Sequence, residues 1–419
     1  MSEGRPLEAE IIAIGSELLT PYRVDTNSLW LTDQLNELGI DVKMKAIIGD
    51  DLETLVEHIR HALQHADILI ATGGLGPTED DLTREAFARA LERPLYRDEA
   101  LLEQLRRRFE RYGLPMTPNN ARQADVIAGA RVMDNSVGSA PGLMIEEGRR
   151  VIFLLPGPPR EMKPMFERHV RPRLVERTSG QRIVRRVLRV AGITESTLDA
   201  LIAPIYTQYA NPTTTIISSL AGLEIHLAAR ARTTEEAEGV LDGLIAKLEE
   251  RLGEHLVSRH GESMERVVGR QLSERGLTLA VAESCTGGLI AKRVTDIPGS
   301  SHYFVGGIVA YSNEAKIALL GVAEALIRRT GAVSPGVAEA MARGVRQRLH
   351  ADIGIGVTGI AGPSGGTPEK PVGLVYVGLD WKGDLGHKRF HIPGDRERVR
   401  ELTTLLALDW VRRRLLRTA

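Results

Sequence analysis

The sequence predicts an α/β protein of two three-layer α/β/α domains joined by a small α+β domain. Three observations point to this class. Short apolar runs alternate with helical spacing toward both ends of the chain, and glycine-rich loops directly follow several of these runs. Between them, from about residue 181 to residue 255, the pattern changes to strand, helix, strand, strand, helix. A chain of 419 residues can bury the cores of about two to four domains. The expected boundaries are 1–178, 179–257 and 258–419.

In the N-terminal part, strands are expected at 9–14, 42–48, 68–71 and 151–154, with helices over 27–38 and 52–66. The informative loop is Thr72-Gly73-Gly74-Leu75-Gly76-Pro77-Thr78-Glu79-Asp80-Asp81-Leu82-Thr83. Its glycines let backbone amides approach a diphosphate, and Asp80 and Asp81 could hold a divalent cation against it. The same carboxylates are equally explained as first-turn residues that complement a helix dipole. Glu17, Asp50, Asp51 and Glu161 are further oxygen donors at strand ends. A hard ion such as magnesium suits these ligands, and no Cys/His cluster suggests zinc.

The middle segment reads as a strand at 183–190, a helix at 196–206, strands at 214–217 and 223–232, and a helix at 234–251.

In the C-terminal part, Leu277-Thr278-Leu279-Ala280-Val281-Ala282 reads as a buried strand, and helical spacing begins at Leu289. Between them lies Glu283-Ser284-Cys285-Thr286-Gly287-Gly288, which puts a nucleophilic side chain on a strand-to-helix turn. Backbone amides from Cys285 to Gly288 could stabilise an oxyanion there, although a serine in this place is also an ordinary helix cap. A second run ends near Tyr311, and Asn313 begins a helix with Lys316 in its first turn. A third strand, 353–357, feeds the loop Thr358-Gly359-Ile360-Ala361-Gly362-Pro363-Ser364-Gly365-Gly366. Open α/β sheets bind ligands outside the carboxyl ends of their strands, where these three segments would meet.

A serine needs a base, and His302, His350, His387 and His391 lie away from all three loops. A desolvated lysine can serve, with a tyrosine as relay, so Lys316 and Tyr311 are the candidates. Cys285 is the rival nucleophile, because a thiol at a helix start has a lowered pKa. Its plainer role is packing beneath the turn.

Together with Pro298-Gly299-Ser300-Ser301, Gly331-Ala332-Val333-Ser334 and Lys370-Pro371-Val372-Gly373, these segments resemble the CinA C-terminal domain, the PncC nicotinamide mononucleotide deamidases. The resemblance implies hydrolysis of the carboxamide of nicotinamide mononucleotide without a cofactor, with Ser284, Tyr311 and Lys316 as catalytic residues. Backbone amides at Cys285, Thr286, Gly287 and Gly288 would hold the oxyanion. Thr358, Gly359 and Gly362 would bind the nucleotide, and Arg396 could pair with its phosphate.

Gly15-Ser16-Glu17-Leu18-Leu19, Asp25-Thr26-Asn27, the 73–81 loop, Gly138-Ser139-Ala140-Pro141-Gly142 and Leu155-Pro156-Gly157-Pro158-Pro159-Arg160-Glu161-Met162 resemble the N-terminal domain of CinA proteins. That domain shares its fold with molybdopterin-binding proteins. The resemblance implies cleavage of ADP-ribose to AMP and ribose 5-phosphate, with a divalent cation and potassium. Gly73, Gly74, Gly76 and Thr78 would bind the diphosphate, and Asp80 and Asp81 the metal. The stretch Thr20-Pro21-Tyr22-Arg23 departs from the family, where a glycine commonly follows the Leu-Leu pair. The middle segment resembles the KH-like domain of the same proteins. It has no Gly-x-x-Gly clamp between its early strand and helix, so spacing or homodimerisation is expected and nucleic-acid binding is not.

Composition agrees with these readings. A formal net charge of -1 gives no electrostatic reason for a nucleic-acid or membrane partner. The arginine clusters Arg106-Arg107-Arg108 and Arg412-Arg413-Arg414 read as solvated helix faces. A single cysteine, no apolar leader in Met1-Ser2-Glu3-Gly4-Arg5-Pro6 and no long apolar stretch point to the cytoplasm. Three functions stay open: a bifunctional pyridine-nucleotide salvage enzyme, a deamidase with a non-catalytic nucleotide- or pterin-binding N-terminal domain, and a non-enzymatic competence or DNA-damage protein.

Overall fold

A computed structural model describes residues 7–417 apart from 112, 179, 181, 220 and 221. The expectation drawn from residues 1–6 therefore lies outside the described residues. The chain forms two compact units, Met1–Val184 with Arg230–Glu238 and Arg185–Ala229 with Gly239–Ala419.

The first unit runs β1 (Glu8–Ile14), α1 (Thr26–Glu37), β2 (Asp41–Ile48), α2 (Leu52–His65), β3 (Ile68–Thr72), α3 (Thr83–Ala90), β4 (Leu95–Arg97), α4 (Glu99–Arg111), β5 (Asp125–Ile127), β6 (Arg131–Met133), β7 (Gly142–Glu147), β8 (Arg150–Leu155), α5 (Pro159–Met165) and α6 (Arg171–Arg177). Its main sheet has the order β2-β1-β3-β8-β7-β6. The first four are parallel, and β7 and β6 close the edge antiparallel. Apolar residues fill β1, β3 and β8 almost without interruption, as strands covered on both faces require. One face packs Ile12, Ile59, Phe87 and Leu154, and the other packs Ile11, Leu35, Phe153 and Phe166. Asp25 and Asp51 cap α1 and α2 by accepting from the amides of Ser28 and Thr54.

The second unit begins with a four-stranded sheet of order β10-β11-β9-β12, built from β9 (Arg182–Val190), β10 (Thr213–Ser219), β11 (Gly222–Ala231) and β12 (Leu256–Ser258), with α7 (Glu195–Tyr206) and α8 (Thr234–Leu252). It continues with α9 (Met264–Glu274), β13 (Leu279–Glu283), α10 (Leu289–Thr295), β14 (Phe304–Val309), α11 (Asn313–Leu320), α12 (Glu324–Thr330), α13 (Pro335–Arg348), β15 (Ile353–Gly359), β16 (Leu374–Trp381), β17 (Asp384–His391) and α14 (Arg396–Arg417). This sheet has the order β14-β13-β15-β16-β17, parallel for β13, β14 and β15. Alternation along β13 builds three layers: Leu279 and Val281 join the core under α9 and α14, and Ala280 and Ala282 join the one under α11 and α13. Gly356 has a packing cause, since a Cβ there would lie 2.3 Å from the Ala338 carbonyl of α13.

Two sequence readings change. The strand expected to end near Tyr311 ends at Val309. The terminal arginine cluster is not solvated throughout. Arg412 is 2% exposed, held by Asp409 and by the Leu256 carbonyl, because a nearby carboxylate and carbonyl replace its water.

Candidate active site

The C-terminal site follows from sheet topology. β13 and β14 are parallel neighbours with Glu283 opposite Val309, so both chains leave the sheet side by side. Ser284 extends β13 by one residue, its amide donating to the Val357 carbonyl at 3.0 Å. Ala310 extends β14 in the same way, donating to the Glu283 carbonyl at 2.8 Å. α11 starts at once, capped by Ser312, whose hydroxyl accepts from the Ala315 amide. Long helical side chains lean back toward the N-terminus, which carries the Lys316 amine onto the end of β14. Lys316 Nζ lies 2.9 Å from the Ala310 carbonyl, 3.0 Å from that of Tyr311 and 3.0 Å from Ser284 Oγ.

Lys316 is 1% exposed and Ser284 8%. Burial pulls the lysine pKa below its ordinary value. A neutral amine offers two N–H donors and one lone pair. Three main-chain carbonyls face it, those of Ala310, Tyr311 and, at 3.4 Å, Ser312. In its neutral form the amine can give its two N–H groups to these and turn its lone pair to the Ser284 hydroxyl, whereas in its charged form it donates to Ser284. Cys285 has the opposite disposition: burial pushes its thiol up to about 12, and it belongs to the core beneath the sheet. It packs into that core, one position from Ser284.

The amides around Ser284 are not all available. Gly287 N donates to the Ser284 carbonyl at 3.1 Å. The carboxylate of Glu283 accepts from Gly288 N at 3.0 Å, Ile290 N at 3.1 Å and Ala291 N at 2.9 Å. Of the four amides expected to line an oxyanion site, Gly287 and Gly288 are thus already committed. Those of Cys285 and Thr286 donate to no oxygen among the described residues. The buried Thr286 hydroxyl has no partner there either. Arg400 of α14 donates to the Thr286 carbonyl through Nη2 at 2.8 Å and Nε at 3.2 Å. Sequence reasoning missed the parts taken by Glu283 and Arg400.

Other expected residues are placed as follows. Tyr311 is 59% exposed, and its hydroxyl accepts from Arg396 at 2.8 Å rather than bridging Ser284 and Lys316, which touch directly. Arg396 also donates to the Gly362 carbonyl at 2.8 Å, joining α14 to the 358–366 loop. Thr358 is buried, and its hydroxyl donates to the Ala332 carbonyl at 2.9 Å. Gly359 is in close contact with Cys285, since a Cβ there would lie 3.1 Å from the sulfur.

The first unit carries a cleft of about 560 Å³ at the carboxyl ends of β1, β3 and β8. Gly73, Gly74, Gly76, Thr78, Asp80 and Asp81 all line it, with Glu17, Asn27, Asp50 and Glu161. Gly73 is required, because at φ +106 a Cβ would lie 2.1 Å from the Ile14 carbonyl. Asn27 Nδ2 donates to the Gly157 carbonyl and to Thr72 Oγ1, which leaves Oδ1 buried without a partner. Several carboxylates are engaged by the chain itself. Asp81 Oδ2 accepts from the Thr78 amide and hydroxyl, Asp50 from Ser16 N, and Glu161 from Asn135. No group of three or more His, Cys, Asp or Glu residues poised to hold a metal exists among the described residues. A cation here would need oxygens from a bound phosphate beside one or two of these carboxylates, which is how magnesium is commonly held.

The fold and its two strand-end sites define a class of protein that joins a molybdopterin-binding-type domain to a serine–lysine α/β domain. Residues 10–176 match the probable molybdopterin binding domain, 185–258 the damage-inducible protein CinA KH domain, and 261–415 the CinA C-terminal domain. A CinA-like protein of Koribacter versatilis is 50% identical, covering 97% of this chain and all of that protein. A putative competence-damage inducible protein of Moorella thermoacetica is 47% identical, covering 96% of this chain and 97% of that one. The chain belongs to the CinA-like protein family. Among solved structures, CinA of Thermoplasma acidophilum, described as of unknown function, matches with 33% identity and a TM-score of 0.37 over 39% of this chain and 95% of its own. No helix among the described residues is long and apolar enough to cross a membrane.

Proposed function

We propose that the second unit is a serine–lysine amidase that hydrolyses the carboxamide of nicotinamide mononucleotide to nicotinate mononucleotide and ammonia. The observation that carries this reading is the 3.0 Å contact between Ser284 Oγ and the buried Lys316 Nζ. Ser284 Oγ attacks the amide carbon while Lys316 takes its proton. The N–H groups of Cys285 and Thr286 receive the oxyanion, a term of about 2.7 to 4 kcal/mol per donor. Lys316 then returns the proton to the departing nitrogen, the C–N bond breaks, and ammonia leaves. Water, deprotonated by the same amine, cleaves the ester, and Ser284 recovers its proton. Tyr311 and Arg396 form one side of the site, with Arg396 available to a phosphate.

The first unit is read as a hydrolase of ADP-ribose, giving AMP and ribose 5-phosphate, with a divalent cation carried in by the diphosphate and potassium as a further ion. Its support is the cleft with glycine-lined amides and carboxylates on one sheet edge. Because no metal cluster is preassembled among the described residues, a binding-only first unit is the competing reading. Ammonia release from nicotinamide mononucleotide, compared between the unmodified protein and Ser284→Ala, tests the amidase: no release by the unmodified protein refutes the activity, and undiminished turnover in the variant refutes Ser284 as its nucleophile. AMP release from ADP-ribose with metal and with chelator tests the first unit, and no metal-dependent release favours binding alone.

A further inference from the structure

The turn after β13 contains two glycines in the left-handed region, Gly287 at φ +59 and Gly288 at φ +92. Two adjacent glycines make a soft hinge, in which rotation of one peptide would replace an N–H with a carbonyl beside the nucleophile. An oxyanion site works only when its donors are already aimed, and a displacement of about 1 Å can cost roughly 100-fold in rate. The turn therefore needs an external clamp, and two groups grip it.

Glu283 grips from one side. It is 1% exposed, and its two oxygens accept from three amides, at Gly288, Ile290 and Ala291. Arg400 grips from the other side, with two donors on the Thr286 carbonyl. The remaining amides of the segment are assigned by the chain itself: Ser284 N to Val357, Gly287 N to Ser284, and Leu289 N to Thr286. Among the described residues Cys285 N and Thr286 N donate to no backbone oxygen, Cys285 N meeting only its own sulfur, and these are the two amides that directly follow Ser284 in the chain.

We propose that Glu283 and Arg400 are positioning residues that lock the 284–288 turn with the Cys285 and Thr286 amides free for the oxyanion. Neither touches the reacting atoms; both act through the backbone. The proposal rests on Ser284 as nucleophile. A purely structural cap would make the same contacts, yet its loss would lower stability without selectively slowing formation of a tetrahedral centre.

A fluorophosphonate separates these roles without assuming the natural substrate. Ser284 Oγ forms a bond to phosphorus, the P–F bond breaks with loss of fluoride, and Lys316 takes the hydroxyl proton. The phosphoryl oxygen then needs the same two amides. The rate of adduct formation is read by intact mass for the unmodified protein, Ser284→Ala, Glu283→Gln and Arg400→Ala, each checked for its melting temperature. Expected are labelling of the unmodified protein, none in Ser284→Ala, about 100-fold slower labelling in Glu283→Gln and about 10-fold slower labelling in Arg400→Ala. Arg400, which is only partly buried, keeps the test open if Glu283→Gln fails to fold. The slowing must exceed any change in the folded fraction. Labelling at the unmodified rate in a folded Glu283→Gln or Arg400→Ala protein overturns the clamp while leaving Ser284 in place. Unchanged labelling in Ser284→Ala, or no adduct on the unmodified protein, overturns the nucleophile and the clamp together.

Discussion

The two candidate sites occupy the same topological position and differ in what is built before a ligand arrives. In both units the first strand of the sheet has its successor on one side and a later parallel strand on the other: β2-β1-β3 in the first unit and β14-β13-β15 in the second. Each places glycine-bearing loops at the carboxyl ends, the usual ligand position in such sheets. In the second unit Ser284 and Lys316 are already in contact at 3.0 Å, and the lysine is sealed from water. In the first there is a cleft of about 560 Å³ with dispersed carboxylates, and no metal-binding cluster among the described residues. The contrast fits the chemistry proposed for each unit. A lysine acting as base to a serine nucleophile must be desolvated to lose its charge near neutral pH, and the fold must supply that burial. A metal-assisted phosphoanhydride cleavage can borrow ligands from its substrate and needs room instead.

The sharpest way to break this comparison is to remove the preassembled pair. Ser284→Ala or Lys316→Ala should each lower amidase turnover by about 10⁴-fold or more, since members of one catalytic unit are not additive. AMP release by the first unit should be unchanged in the same proteins. A Lys316→Ala variant with more than a tenth of the original ammonia release would remove the lysine from the mechanism.

Chelation should act in the reverse sense. EDTA is expected to abolish AMP release from ADP-ribose and to leave ammonia release within about 2-fold, because no step at Ser284 uses a metal. Asp80→Ala, at an exposed carboxylate of the cleft, is expected to raise the metal concentration needed for half-maximal AMP release by about 10-fold. Asp81→Ala is expected to lower stability as well, because Asp81 braces Thr78. Equal loss of both activities on chelation would erase the distinction between the sites.

The pH dependence sharpens the desolvation argument. The base must be neutral, and burial lowers the Lys316 pKa from 10.5. Amidase kcat/KM should therefore rise with pH and level off below pH 10.5, its acid limb reporting the free enzyme. A rate still climbing through pH 10.5 would mean that the lysine is not desolvated in the working enzyme. Below its lowered pKa the amine is charged, and activity is lost on that side only.

How far the site could be read in advance depends on the sequence distance each contact spans. Ser284 and Lys316 were legible because each is set by a local pattern, a strand entering a glycine turn and a helix starting after a cap. Glu283 precedes the serine in plain view, but its role needs the side chain to curl onto amides five to eight residues later. Arg400 lies 114 residues beyond its partner Thr286, and no local spacing encodes that. Thr358 has a contact hidden for the same reason. Its hydroxyl donates to Ala332, 26 residues earlier. The parallel strands were readable from continuous apolar runs, whereas the antiparallel edges β6, β7, β16 and β17 follow from pairing geometry that no single segment announces.

The smallest expected effect discriminates the two nucleophiles at the turn. Cys285 would be the better nucleophile if its thiolate formed, because a helix start and a nearby cation ordinarily lower a thiol pKa. Here burial outweighs both and pushes it up to about 12, so at pH 7 to 9 the sulfur stays protonated. Its surroundings are the core side chains beneath the sheet, and Gly359 is in close contact with it. Cys285→Ala keeps the backbone amide proposed to receive the oxyanion, so ammonia release should change by less than about 3-fold. The folded protein should also resist iodoacetamide at pH 8, by intact mass, until it is unfolded. Rapid alkylation of the native protein with matching loss of activity would transfer the chemistry from Ser284 to its neighbour, and the second site would then depend on a thiolate rather than on the buried amine.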